Sequence, residues 1–149
     1  MTHDKSHTAV PWREFSTAAP DLASRVANRF GANLHHVLGT IRADGSPRLS
    51  GTEVEITSEH LKLGMMPEAR KRSDVDNDPR VEVHSAPIED KLGSGDAKVS
   101  GVLRPLDEAG DISSFAVFIT NVSLVRVDHD ELVFDIWSPS RGITERRRQ

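Results

Sequence analysis

The chain has 149 residues, a formal net charge of -4 and no cysteine. That length fits one domain, the acidic balance argues against a nucleic-acid binder, and the missing thiols exclude disulfide or thiolate chemistry. No apolar run reaches the ~18 residues of a membrane span, and the polar stretch from Met1 to Pro11 lacks the apolar centre of a signal peptide. The expectation is therefore a cytoplasmic protein. Its 36% apolar content supplies one modest core, which would gain from shared burial in a homodimer.

Residues 1–11 read as a disordered leader, and residues 12–149 as a single domain. Trp12 to Phe30 is helix-like, with Pro20 suited to a first turn and Leu22, Val26 and Phe30 on one face. From Leu34 to Arg42 the pattern changes to that of a strand, and Ala43-Asp44-Gly45-Ser46 is a turn signal. A second strand runs from Arg48 to Thr57, where Val54 and Ile56 alternate with Glu53 and Glu55. A short third strand spans His60 to Met65. Pro67 opens a charged, helix-compatible stretch ending before Asp78-Pro79, and Arg80 to Ser85 alternates as a fourth strand. Pro87 to Gly95 reads as a surface loop, Ala97 to Leu103 as a fifth strand, and Leu106 to Ser113 as a connection with room for a helical turn. Phe115 to Val127 and Glu131 to Trp137 form two last strands joined at Asp128-His129-Asp130. The basic end, Arg146-Arg147-Arg148, reads as a solvated tail. Many short antiparallel strands with few helices predict a closed or partly closed β-barrel.

The chemistry concentrates at Leu63-Gly64-Met65-Met66-Pro67-Glu68-Ala69-Arg70-Lys71. Here a strand ends in glycine, a proline sets the turn, and a helix begins with cations in its first turn. Free amides at a helix start, with the helix dipole behind them, form an anion site suited to phosphate. Arginine adds a bidentate fork and lysine a point charge. The competing reading is that Arg70, Lys71 and Arg72 are solvated and pair with Glu68, Asp74 or Asp76 at helical spacing.

The order of segments bears on that choice. Thr40 in the first strand, the Asp44-Gly45-Ser46-Pro47 turn, the Arg70-Lys71 helix start and Asp78-Pro79-Arg80-Val81 follow one another from about Leu34 to Leu106. This order resembles the pyridoxamine 5'-phosphate oxidase-like, flavin-binding split-barrel family. The resemblance implies a six- to seven-stranded antiparallel split β-barrel with flanking short helices, forming a homodimer. It implies FMN as cofactor, with a deazaflavin coenzyme as the alternative. Arg70 and Lys71 would bind the cofactor phosphate. Ser50, Gly51 and Thr52 would line the ring with backbone and hydroxyl groups, and Gly64 and Met65 would pass the ribityl chain. The segment from Trp137 to Arg141 would reach the partner subunit's cofactor. This sequence departs from the family at Ser50, where the oxidase has an arginine, and at Ala69, where it has a serine. The C-terminal arginine- and histidine-bearing motif that recognises pyridoxal phosphate is also missing. These departures point away from vitamin B6 oxidation and towards an FMN- or deazaflavin-dependent oxidoreductase of another small molecule. The alternative is a non-catalytic barrel holding flavin, haem or a stress-related ligand.

No side chain stands out as a general acid or base, which suits chemistry carried by a cofactor. His35 and His36 are adjacent on a strand and face opposite ways, so they do not converge on one metal. His60 and His84 lack a patterned carboxylate partner, and no metal site is expected. Nucleotide-binding glycine loops and the nucleophile-elbow motif are absent. Trp12 and Trp137 suit packing or an interface better than stacking on a flavin.

Overall fold

A computed structural model describes residues 8–87, 94–107, 110 and 113–149. Its elements, in chain order, are α1 (Trp12–Ala18), α2 (Pro20–Gly31), β1 (His35–Ile41), β2 (Pro47–Ile56), β3 (Leu61–Gly64), α3 (Arg70–Asn77), β4 (Arg80–His84), β5 (Asp96–Pro105), β6 (Ser114–Asp128), β7 (Glu131–Ser138) and β8 (Gly142–Arg148). The sheet order is β3-β2-β1-β4-β5-β6-β7-β8, and β3 also pairs with β6. That extra pairing closes six strands into an antiparallel barrel and leaves β7 and β8 as an extension.

The long β6 makes both arrangements possible. Its first residues pair with β3 (Lys62 opposite Ala116, Leu63 opposite Phe115) and also with β5. From Val122 onwards β7 takes the place of β3, while the pairing with β5 continues to Val125. A register shift opposite Ser100/Gly101 leaves Thr120 of β6 as the extra, unpaired residue of a bulge. Gly101 is required there, because a Cβ would lie 2.1 Å from the Phe118 carbonyl oxygen.

The helix expected over residues 12–30 is two helices. Ala19 precedes Pro20, whose ring disfavours helical geometry at the residue before it, and Ala19 accordingly has φ -136° and ψ 66°. Both helices bury one face against the barrel. Phe15 lies 4.9 Å from Trp137 and Trp12 packs edge-on against Phe15. Leu22, Val26 and Phe30 of α2 join the same core.

Two sequence expectations at the chain ends are corrected. Val10, assigned to a leader, is buried and forms a two-way backbone bridge with Ile119. The basic end is a strand rather than a tail, with β8 in register along β7 from Leu132–Arg148 to Ser138–Gly142. Arg147 binds Asp128, Glu131 and Glu145. A charged outer strand also blunts the open edge that would otherwise invite further pairing. Most of the Pro87–Gly95 loop and much of the Leu106–Ser113 connection lie outside the described residues.

Candidate functional site

Register decides which way each expected site residue points. Across β1 and β2, His36–Thr52, Leu38–Ser50 and Thr40–Arg48 are paired and face inward; Val37–Gly51 and Gly39–Leu49 face outward. The Ser50 and Thr52 hydroxyls therefore enter the barrel and do not line an outer surface. Thr52 is buried and its Oγ1 donates to the Glu53 carbonyl, while the buried Ser50 Oγ has no hydrogen-bond partner among the described residues. Gly51 lies on the outer face, where an added Cβ would have no heavy atom within 4 Å.

The remaining expected residues gather around the start of α3. Met65 N–H donates to the Ser113 carbonyl (2.9 Å), Ala69 N–H to Met66 (3.0 Å), and α3 then begins at Arg70. Its N-terminus has no side-chain cap and no acidic residue in the first turn. Such a start exposes unpaired amides and the positive end of the helix dipole. Arg70 and Lys71 have no carboxylate partner among the described residues. Lys71 Nζ instead donates to the Gly51 carbonyl at 2.8 Å, tying the helix start to the outer face of β2. Of the three adjacent cations, only Arg72 follows the pairing alternative, meeting Asp76 one turn on at 3.4 Å and lying over the Phe115 ring at 4.7 Å.

A groove runs from this corner. One basin of about 620 Å³ is lined by Gly64, Met65, Glu68, Ala69 and Lys71. A second of about 490 Å³, lined by Glu53, Glu55 and Lys62, shares Gly64 and Ser113 with the first. Volumes of this order suit a small ligand. The groove thus brings together Gly64, Met65 and Lys71, with Arg70 and Gly51 adjoining through the helix start and the Lys71 bond. Trp137 does not join them. It is 3% exposed and its ring is committed to Phe15, the packing role also considered from the sequence.

Sequence reading missed the cluster that holds α3 in place. Asp74 is buried one turn into the helix and accepts hydrogen bonds from Thr40 Oγ1 and Arg48 Nε, both at 2.7 Å. The Arg48 bond, helped by Thr40, holds the Asp74 carboxyl below the usual carboxylate range despite its desolvation. The available signal was positional. Arg48 is at an inward place of an alternating strand, where an unpaired cation would be costly. Among the described residues, no group of three or more histidine, aspartate or glutamate side chains could hold a metal ion.

No family model matches the sequence, and no curated protein matches it. Solved structures do. The chain is similar to PhzG from Burkholderia lata, in complex with tetrahydrophenazine-1-carboxylic acid, at 11% identity over 91% of this chain and 92% of that one, with a TM-score of 0.66. It is similar to a pyridoxamine 5'-phosphate oxidase-related, FMN-binding protein from Nostoc punctiforme at 7% identity, over 88% and 96% of the two chains, with a TM-score of 0.63. A haem-binding protein from Mycobacterium smegmatis matches at 11% identity over 83% and 87%, with a TM-score of 0.55. With its six-stranded closure through β3 and β6, the chain shares the split-barrel fold of these solved structures.

Proposed function

We propose that the chain binds a flavin-type cofactor, FMN, in the groove beside α3 and works as an oxidoreductase on a small molecule. The observation that carries this reading is the uncapped start of α3, where Arg70 and Lys71 stand without carboxylate partners at one end of a ligand-sized groove. Arg70 and the first-turn amides would hold the terminal phosphate. Lys71 fixes the spacing between that anchor and Gly51, whose open outer face leaves room for a flat ring. Gly64 keeps the path between them low. Bound FMN would supply the redox chemistry, and the chain's own contribution is anchoring, orientation and a shaped pocket. A deazaflavin coenzyme offers the same phosphate to the same anchor and is the alternative cofactor.

Vitamin B6 oxidation is not part of this reading. Ser50 stands where the oxidase has an arginine, and Arg48, the arginine β2 does contain, is committed to Asp74. The protein would act as a homodimer through the outer face of β1 and β2. Leu49 is 75% exposed there, beside Val37, Gly39 and Gly51. Sedimentation of the full chain at micromolar concentration should give twice the monomer mass.

The cofactor is tested by fluorescence titration of the purified protein with FMN, and in parallel with deazaflavin. Replacing Arg70 and Lys71 together by Ala should weaken binding about a hundredfold or more, given roughly 1.5–3 kcal/mol per charged hydrogen bond. Unchanged affinity would remove the anchor assignment. Uptake of neither compound by the wild-type protein would overturn the proposal.

A further inference from the structure

The turn between β3 and α3 holds two adjacent methionines in opposite surroundings. Met65 is 2% exposed and belongs to the core, whereas Met66 is 72% exposed. Met66 lines the basin of about 620 Å³ at the start of α3, together with Ala69 and Lys71. The backbone on either side is fixed. Met65 N–H donates to the Ser113 carbonyl at 2.9 Å, and Ala69 N–H donates to the Met66 carbonyl at 3.0 Å. The second bond closes the Met66-Pro67-Glu68-Ala69 turn and brings Met66 back beside a helix start that has no side-chain cap. A flexible thioether is thus tethered where amides need an acceptor.

Methionine oxidation is favoured by exposure. With hydrogen peroxide as oxidant, a sulfur lone pair attacks one peroxide oxygen and the O–O bond breaks. The proton of the attacked oxygen passes to the departing hydroxide, which leaves as water. Sulfur loses two electrons and peroxide gains them. At Met66 the product is a polar side chain whose sulfoxide oxygen is a strong acceptor. It lies beside the positive end of the α3 dipole and in the same basin as Lys71. Because Met66 is exposed, the new oxygen stays hydrated and the core is undisturbed, while burial shields Met65.

We propose that Met66 is a peroxide-sensitive modification site that closes the cofactor groove. Its sulfoxide oxygen takes the α3 amides in place of the cofactor phosphate, and enzymatic reduction of the sulfoxide reopens the site. The inference rests on the cofactor reading above. Its test uses the full-length, cofactor-free chain before and after hydrogen peroxide. Tandem mass spectrometry should find the added oxygen on Met66 while Met65 stays unmodified. FMN titration of the oxidised protein should show binding weakened about threefold to tenfold, the effect of one competing hydrogen bond, with the thermal midpoint unchanged. Treatment with a methionine sulfoxide reductase should restore the affinity. M66L should bind FMN equally with and without peroxide exposure. M66Q, whose amide oxygen stands in for the sulfoxide, should bind FMN more weakly than M66L with no peroxide added. Oxidation of Met65 in step with Met66, unchanged affinity once Met66 is oxidised, or an equal loss in M66L would each overturn this proposal and leave the cofactor reading standing. Uptake of neither FMN nor deazaflavin by the untreated protein would overturn both.

Discussion

Asp74→Ala tests how the anchor helix is held. The substitution removes the acceptor of two short hydrogen bonds, from Thr40 Oγ1 and Arg48 Nε, and leaves Arg48 facing inward without its counter-charge. Truncating one member of a buried pair costs about 3–5 kcal/mol. The Arg48 side chain keeps 20% of its exposure, so water takes over part of the lost solvation. The lower end, about 3 kcal/mol, is therefore expected, and at roughly 2–4 °C per kcal/mol for a domain near this size the midpoint should fall by about 6–12 °C. Thermal unfolding followed by circular dichroism at neutral pH measures it. Thr40→Val, which removes one neutral donor, should cost only about 1 kcal/mol. The pH dependence has a definite sign. Asp74 has a folded-state pKa below its ordinary 3.8, so its stabilisation is complete above that value and is lost as pH falls through the depressed folded value. The gap between wild type and D74A should thus be widest at neutral pH and narrow as pH falls below 3.8. A midpoint change under about 2 °C, or a gap that stays constant into acid, would refute the claim that this buried pair secures α3.

Gly101→Ala should reduce stability by about 1–3 kcal/mol or more, because its Cβ meets a backbone oxygen that has no rotamer to escape into; urea unfolding reads the loss. Gly51→Val should leave the urea midpoint unchanged or raised, since the new side chain enters open space on a strand, yet abolish FMN binding in the same titration used for the anchor. If G51V binds FMN normally, the ring does not lie over that face. Arg147→Ala removes the shared partner of Asp128, Glu131 and Glu145. Its midpoint should drop at low ionic strength and approach wild type in about 1 M salt, where the Debye length is near 3 Å.

Strand alternation and the turns at Asp44-Gly45 and Asp128-His129-Asp130 were enough to place seven of the strands and to suggest a barrel. These are local signals. His129 and Asp130, at φ 46° and 69°, form the two-residue turn that the right-handed twist of paired strands prefers. The helix start at Arg70-Lys71 was legible for the same reason, since a glycine, a proline and clustered cations lie adjacent in the chain. What local pattern could not assign was partnership. Arg146 to Arg148 looks like a solvated tail until β7 supplies its hydrogen bonds and Asp128 and Glu131 supply counter-charges to Arg147. Arg48 sits at an inward strand position, but its counter-charge is supplied by α3, where Asp74 lies 26 positions on. Ser50 and Thr52 were expected at the groove because of their place in a family-like order, but a period of two sends their side chains inward and leaves only Gly51 outside. Composition and periodicity determined that this chain makes a β-barrel with a cationic helix start. Closure through β6 decided which faces are inside, which cations are neutralised and which are left free, because those outcomes depend on contacts between residues far apart in the chain.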